Sequence, residues 1–185
     1  MPIHVDPSLP VHPLTVDDVD EMVRAGILGK DDRVELLDGV LVEVSPQGPG
    51  HAYALRRLNL LAAEIVVREG LDLSIQMPLD VGSRFSQPEP DLAITPVAGR
   101  DAHPSAALLV IEVARSSRRL DLGRKAAIYA EGGVPEYWAL DVEQRELVVH
   151  SEPTSDGYAS VRALGPHDTV TATAVELTVS LSALL

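Results

Sequence analysis

Two short fragments hold the residues best suited to chemistry. Pro88-Glu89-Pro90-Asp91-Leu92-Ala93-Ile94 and Leu108-Leu109-Val110-Ile111-Glu112-Val113-Ala114 each read as a brief apolar strand carrying a carboxylate, Asp91 in the first and Glu112 in the second. A buried strand has no structural use for an acid, because a desolvated carboxylate is costly unless paired. Two such strands side by side bring Asp91 and Glu112 together at one edge of a sheet. Carboxylate oxygens in that arrangement suit a hard divalent cation such as Mg²⁺.

The second strand runs into Ser116-Ser117-Arg118-Arg119-Leu120-Asp121-Leu122-Gly123-Arg124-Lys125, which reads as the start of a helix. Ser116 and Ser117 suit helix capping better than attack, since no His lies near them in sequence. Arg115, Arg118, Arg119, Arg124 and Lys125 fall within eleven residues beside Glu112. They form either a solvated helix face or a local positive field, and for a site the local field outweighs net charge. The whole chain is acidic, with 15 Lys and Arg against 28 Asp and Glu, a net charge of −13. That is unusual for a protein gripping a long duplex, which normally shows a basic footprint.

The elements that position these groups follow from patterning. At 185 residues and 45% hydrophobic content, the chain suits one domain, expected over 14–185 after an extended, proline-rich arm at 1–13. Aromatics are only 3%, so the core is built from Leu, Val, Ile and Ala. There is no cysteine, which removes disulfides and thiolate metal sites. Neither a signal-peptide pattern nor an apolar run of membrane-spanning length is visible, so a soluble, cytoplasmic protein is expected.

Thr15 with Asp18 resembles a capping pair opening a short helix that runs to Gly26. Asp38-Gly39 between Arg33–Leu37 and Val40–Val44 predicts a tight hairpin, because a type I′ turn needs positive φ at both central positions. Leu55, Leu58, Ala62 and Ile65 predict a helix from His51 to Glu69, stopped by Gly70. Strands are expected over 71–81, 90–95 and 107–114. A helix over 121–131, strands at 136–141 and 147–150, and short strand-like pieces over 158–185 follow. A helix, a strand meander and a crossover helix give a mixed sheet with helices on its faces, which the flanking hairpins would extend. The fold class is α/β (α+β).

These residues, taken in order, resemble the Uma-type restriction-endonuclease family of the PD-(D/E)xK nuclease superfamily. The matching stretches are Val34-Glu35-Leu36-Leu37-Asp38-Gly39, Ser45-Pro46, His51, Pro90-Asp91-Leu92, Ile111-Glu112-Val113-Ala114 and Ser116-Ser117. Asp121 to Lys125 to Tyr129, and Gly133-Val134-Pro135-Glu136-Tyr137-Trp138, complete the set. The resemblance implies a restriction-endonuclease-like mixed sheet flanked by helices, with extra N-terminal and C-terminal β-hairpins. It implies that Asp91 and Glu112 bind Mg²⁺, with Mn²⁺ able to substitute. The usual lysine two residues after the acid is absent, since Ala114 stands there, and Lys125 matches the helix-borne lysine of this family. The plain alternative for Lys125 is an ion pair with Asp121, four residues earlier on the same helix face.

The resemblance extends to Glu35 and His51. Glu35 is either a solvent-facing strand residue or a third acid beside the metal. His51 is either a helix-entry residue or a contact to substrate phosphate. Arg115, where related sequences often carry an acid, would bind phosphate with Arg118 and Arg119, or pair with Asp91 or Glu112 and weaken cation binding. Tyr129 reads as core or as a hydroxyl hydrogen bond to the site rather than a nucleophile, and Trp138 as core. His4, His12, His103, His150 and His167 show no ligand spacing and read as surface residues.

Phosphodiester hydrolysis suits these groups: carboxylate-held Mg²⁺ acidifies water, and a lysine orients it or steadies phosphate charge. Two adjacent carboxylates favour the charged lysine, so electrostatics is expected rather than proton abstraction. The implied function is a Mg²⁺-dependent DNA endonuclease, acting as a homodimer because two related sites cut both strands. The alternatives are a catalytically inactive binding or regulatory descendant of the fold, and a metal-dependent phosphoesterase acting on RNA or small nucleotides.

Overall fold

The computed structural model describes residues 10–29, 31–44, 47–114 and 120–185, the side chains of 120–122 excepted. Helix α1 (Val16–Arg24) opens on the expected capping box. Thr15 accepts from Asp18 N, and the Asp18 carboxylate accepts from Thr15 N at 2.8 Å. Strands β1 (Val34–Leu37) and β2 (Val40–Glu43) follow, then the long helix α2 (Pro49–Glu69). Helix α2 starts two residues before His51, with proline in its first turn, where the missing N–H costs nothing. It ends at Gly70, whose left-handed φ of 67° lets its N–H return to Val66 O.

Next come β3 (Asp72–Ser74), β4 (Leu92–Thr95) and β5 (Leu109–Ala114). A wide π-helical turn (Leu120–Lys125) leads into α3 (Ala126–Glu131). Strands β6 (Glu136–Asp141), β7 (Glu146–Thr154), β8 (Gly157–Leu164), β9 (Thr169–Thr171) and β10 (Thr178–Ser180) complete the order.

Six strands form the central sheet in the order β3-β4-β5-β6-β7-β8. Only β5 and β6 are parallel, because α3 carries the chain across between them. Strand alternation divides the sheet into two cores. Leu92, Ile94, Leu109, Ile111, Val113, Trp138 and Leu140 share a cluster with Leu55, Leu58, Ala62 and Ile65 of α2. Ala93, Val110, Tyr137 and Ala139 join Ile128 and Tyr129 of α3, with Leu37 of β1, on the other face. Because period 2 governs every strand, Asp91 and Glu112 belong with the second set. The sheet's twist of chemistry therefore lies toward α3 and the β1–β2 hairpin.

Several expectations change here. The segment 71–81 is strand only at Asp72–Ser74, because Gln76 turns left-handed at φ 50° and leaves the ladder. The expected helix 121–131 opens as the wide turn. The β1–β2 hairpin does not extend the central sheet. It stands as its own two-stranded ribbon, joined to the loop before β4 by a bridge between Leu36 and Gln87. β9 and β10 likewise pair only with each other, whereas β7 and β8 do extend the sheet. Ser45, Pro46, Arg115, Ser116, Ser117, Arg118 and Arg119 lie outside the described residues, as do positions 1–9 of the expected arm.

The Asp38-Gly39 turn takes the anticipated positive φ values, 53° and 77°. Gly39 is also crowded: an added Cβ would sit 2.4 Å from Pro13 Cβ and 2.9 Å from Pro13 Cα. Gly39→Ala is expected to destabilise by about 2 kcal/mol, a strained φ plus a steric shift, and urea unfolding would read this as a lowered midpoint.

Two buried polar groups are structural. Glu136, 1% exposed, accepts from Trp138 Nε1 at 2.6 Å and from Thr173 N and Oγ1 at 2.8 and 2.5 Å. The acid of the Pro-Glu-Tyr-Trp run thus ties β6 to the loop between β9 and β10. His150 is not on the surface. It lies buried opposite Tyr137 on the neighbouring strand, with ring centroids 5.3 Å apart, and against Tyr158 at 5.6 Å. Burial holds its imidazole below the usual histidine range.

Candidate active site

Asp91 immediately precedes β4, and Glu112 is inside β5. Leu92 pairs with Ile111, so the next antiparallel step sets Asp91 opposite Glu112. Asp91 leads into β4 and Glu112 lies within β5, both inner strands, since β3 and β8 hold the sheet edges, which corrects the expected edge position. Asp91 N lies 3.4 Å from Glu112 Oε2, and Asp91 Oδ2 accepts from Val113 N at 2.9 Å. The Asp91 carboxylate therefore takes the place of the next backbone acceptor where β4 has not yet begun.

The other oxygen, Asp91 Oδ1, receives Gln76 Nε2 at 3.0 Å and faces His51 Nε2 at 3.1 Å. His51 comes from the first turn of α2 and is buried. Its Nε2 is off the hydrogen-bonding direction, and among the described residues it has no such partner. Burial pushes the Asp91 carboxyl up. The contact with His51, its charge, Val113 N–H and the Gln76 amide outweigh this and hold it below the usual carboxylate value.

Glu112 is bound from the helix side. Its Oε1 accepts from Lys125 Nζ at 2.9 Å and from Tyr129 OH at 2.8 Å. Lys125 and Tyr129 are four residues apart, so the wide turn and the first turn of α3 present both to one oxygen. Burial first, and the Glu112 charge second, push the Tyr129 phenol well above its ordinary value, so it stays a donor. Lys125 Nζ also lies 2.9 Å from Glu35 Oε1. Glu35 is thus no solvent-facing residue. It is 5% exposed and alternates inward with Leu37.

The hairpin is fixed beside this contact. Arg124 pairs with Asp38 in its turn, and Glu35 Oε2 accepts from Glu89 N at 3.3 Å. Desolvation, then the Glu35 charge, push the Glu89 carboxyl up.

Five anticipated residues, Glu35, His51, Asp91, Glu112 and Lys125, therefore converge. The alternative pairing of Lys125 with Asp121 rests on a side chain outside the described residues. The same holds for phosphate contacts from Arg115, Arg118 and Arg119. Gln76 was not anticipated, because nothing in an irregular segment marks one amide as aimed at an acid. Among the described residues no group of three or more His, Asp or Glu is gathered as a closed metal cage. The donor chemistry nevertheless fits a hard cation. Two buried carboxylates, Glu35 and Glu112, meet the Lys125 amine, and a third, that of Asp91, lies opposite Glu112 across the ladder.

The architecture is that of a nuclease fold. A crystal structure described as "a putative nuclease belonging to DUF820", from Anabaena variabilis ATCC 29413, matches at a TM-score of 0.72 and 16% identity. The match covers 93% of this chain and 97% of that one, so the core is restriction-endonuclease-like. The sequence profile of the Uma2 family, described as "Putative restriction endonuclease", matches residues 17–183, and the chain belongs to that family. Among curated proteins none matches this sequence.

Proposed function

We propose that this protein is a Mg²⁺-dependent endonuclease that hydrolyses phosphodiester bonds of DNA in the cytoplasm. The observation that carries this reading is the juxtaposition of buried Asp91 and Glu112 where β4 and β5 meet, with the Lys125 amine 2.9 Å from Glu112. Asp91 and Glu112 hold the cation, and Mn²⁺ can stand in for it. When bound, the cation polarises a phosphoryl oxygen and acidifies an attacking water.

The remaining steps belong to the chain's own groups. Glu35 and Glu112 fix the Lys125 amine, which orients the water and offsets phosphate charge. Tyr129 keeps its proton and fixes Glu112 Oε1. His51 sets the charge and direction of Asp91 from the start of α2, and meets the substrate phosphate. Arg115, Arg118 and Arg119 follow β5 in sequence and supply further positive charge for the substrate backbone.

A substrate panel tests the assignment: supercoiled plasmid, single-stranded DNA, RNA and a small phosphodiester, each with Mg²⁺ and with chelator. Cleavage of DNA that stops with chelator supports it. The net charge of −13 favours a second reading, a phosphoesterase for RNA or a small nucleotide, and cleavage of those substrates alone would establish it. No cleavage of any substrate, with no cation uptake, would leave an inactive binding descendant.

Two related sites readily cut both strands of a duplex, and the outer face of α2 suits a two-fold contact. Tyr53, Leu60 and Val67 are exposed at seven-residue intervals, flanked by Arg57 and Glu64. Antiparallel pairing of two copies about Leu60 sets Arg57 beside Glu64 of the second copy, twice. Sedimentation equilibrium is expected to show a reversible dimer that Leu60→Glu converts to monomer. A wild-type monomer at every concentration contradicts this.

A further inference from the structure

Two carboxylates do not complete the shell of a hard cation, which takes six or more oxygens. Among the described residues no third acid or histidine closes the set. An amide can. Gln76 sits between β3 and β4, exposed, in a left-handed backbone conformation at φ 50°. For a residue with a side chain that conformation costs about 1–2 kcal/mol, so something must hold it. Its N–H donates to Pro90 O at 3.0 Å, and Pro90 is the residue before Asp91. Backbone and side chain of Gln76 are thus both anchored on the Pro90-Asp91 pair.

Among the described residues, three groups address the Asp91 carboxylate. Val113 N–H is backbone and can only donate. His51 is buried within the first turn of α2. The Gln76 side chain, the exposed one of the three, can reverse its polarity by a half-turn of the amide, which exchanges NH₂ for the carbonyl oxygen. In the structure Nε2 donates to Asp91 Oδ1 at 3.0 Å. With a cation at Oδ1, an NH₂ there is opposed and the carbonyl oxygen is favoured.

We propose that Gln76 is a metal ligand: the amide that donates to Asp91 would turn so that its Oε1 joins Asp91 and Glu112 in holding the cation. This rests on the metal reading given above. It assigns the loop between β3 and β4 the task of completing the site, and makes that loop respond to cation binding.

Calorimetric titration of the full chain with MnCl₂ tests it without any nuclease substrate. Gln76→Gly removes the side chain while relieving the left-handed strain, and is expected to weaken Mn²⁺ binding about tenfold. Gln76→Asn, which also tolerates that conformation but is one methylene short, is expected to weaken it similarly. Gln76→Glu keeps an oxygen in place and is expected to bind at least as tightly as wild type. Equal or tighter binding by Gln76→Gly overturns the proposal, because Gln76 would then only cap Asp91. A wild-type protein that takes up no Mn²⁺ removes the metal reading itself, and this ligand with it.

Discussion

Lys125→Ala is expected to destabilise the protein by about 3–5 kcal/mol and to abolish hydrolysis. The stability effect follows from burial. Lys125 is 5% exposed, and its amine lies 2.9 Å from both Glu35 and Glu112, themselves 5% and 4% exposed. Removing one partner of a buried ion pair leaves uncompensated charge in a poorly solvated place, and that loss outweighs the desolvation cost no longer borne by the lysine. Here two carboxylates are stranded together. Urea unfolding measures the effect. Glu35→Gln combined with Lys125→Met relieves part of the stranded charge, so the double variant is expected to lose less than the sum of its singles. Strict additivity would mean that the contact contributes nothing to stability.

Asp91→Asn is expected to leave the fold in place and to reduce hydrolysis about a thousandfold or more. A carboxylate on a divalent cation supplies several kcal/mol of charge stabilisation, and each 1.36 kcal/mol is a factor of ten. The amide is similar in shape, so the loss is in charge rather than packing. Steady-state rates at saturating Mg²⁺ measure it, with cation affinity measured in parallel. The same variant has a pH signature. The folded Asp91 carboxyl is held below its ordinary value of 3.8, so its contribution to stability is present above that value. It is lost as pH falls through the lowered folded value. Asp91→Asn lacks that acid-limb dependence, which acid unfolding curves of the two proteins would show.

The acids of this site were legible because they break a pattern. Asp91 and Glu112 interrupt apolar strands, and strand alternation assigns both to one face without further information. Glu35 was ambiguous, because an acid alternating with Val34 and Leu36 suits a half-exposed hairpin equally well. What decides it is long-range: the ribbon folds away from the central sheet and lays Glu35 on Lys125. Lys125 itself was open between a partner on its own helix and the site. The wide turn delivers its amine to two residues from other elements, Glu35 of β1 and Glu112 of β5.

Gln76 and His150 were hidden for different reasons. The run 71–81 has strand-like composition, and no local signal announces that residue 76 turns left-handed. His150 was read as exposed because a lone histidine has no ligand spacing. Its burial depends on register, which sets it opposite Tyr137 and near Tyr158. Register is a property of paired strands, so a single strand does not disclose it. The capping box at Thr15, the turn at Asp38-Gly39 and the stop at Gly70 were all readable, since each depends on only a few neighbouring residues.

The most direct test of the central claim is anomalous scattering from crystals soaked in Mn²⁺. A metal peak bridging the Asp91 and Glu112 carboxylates is the predicted result. Its absence at full soaking, with the Lys125 amine still filling the space against Glu112, would contradict metal-dependent hydrolysis at this site.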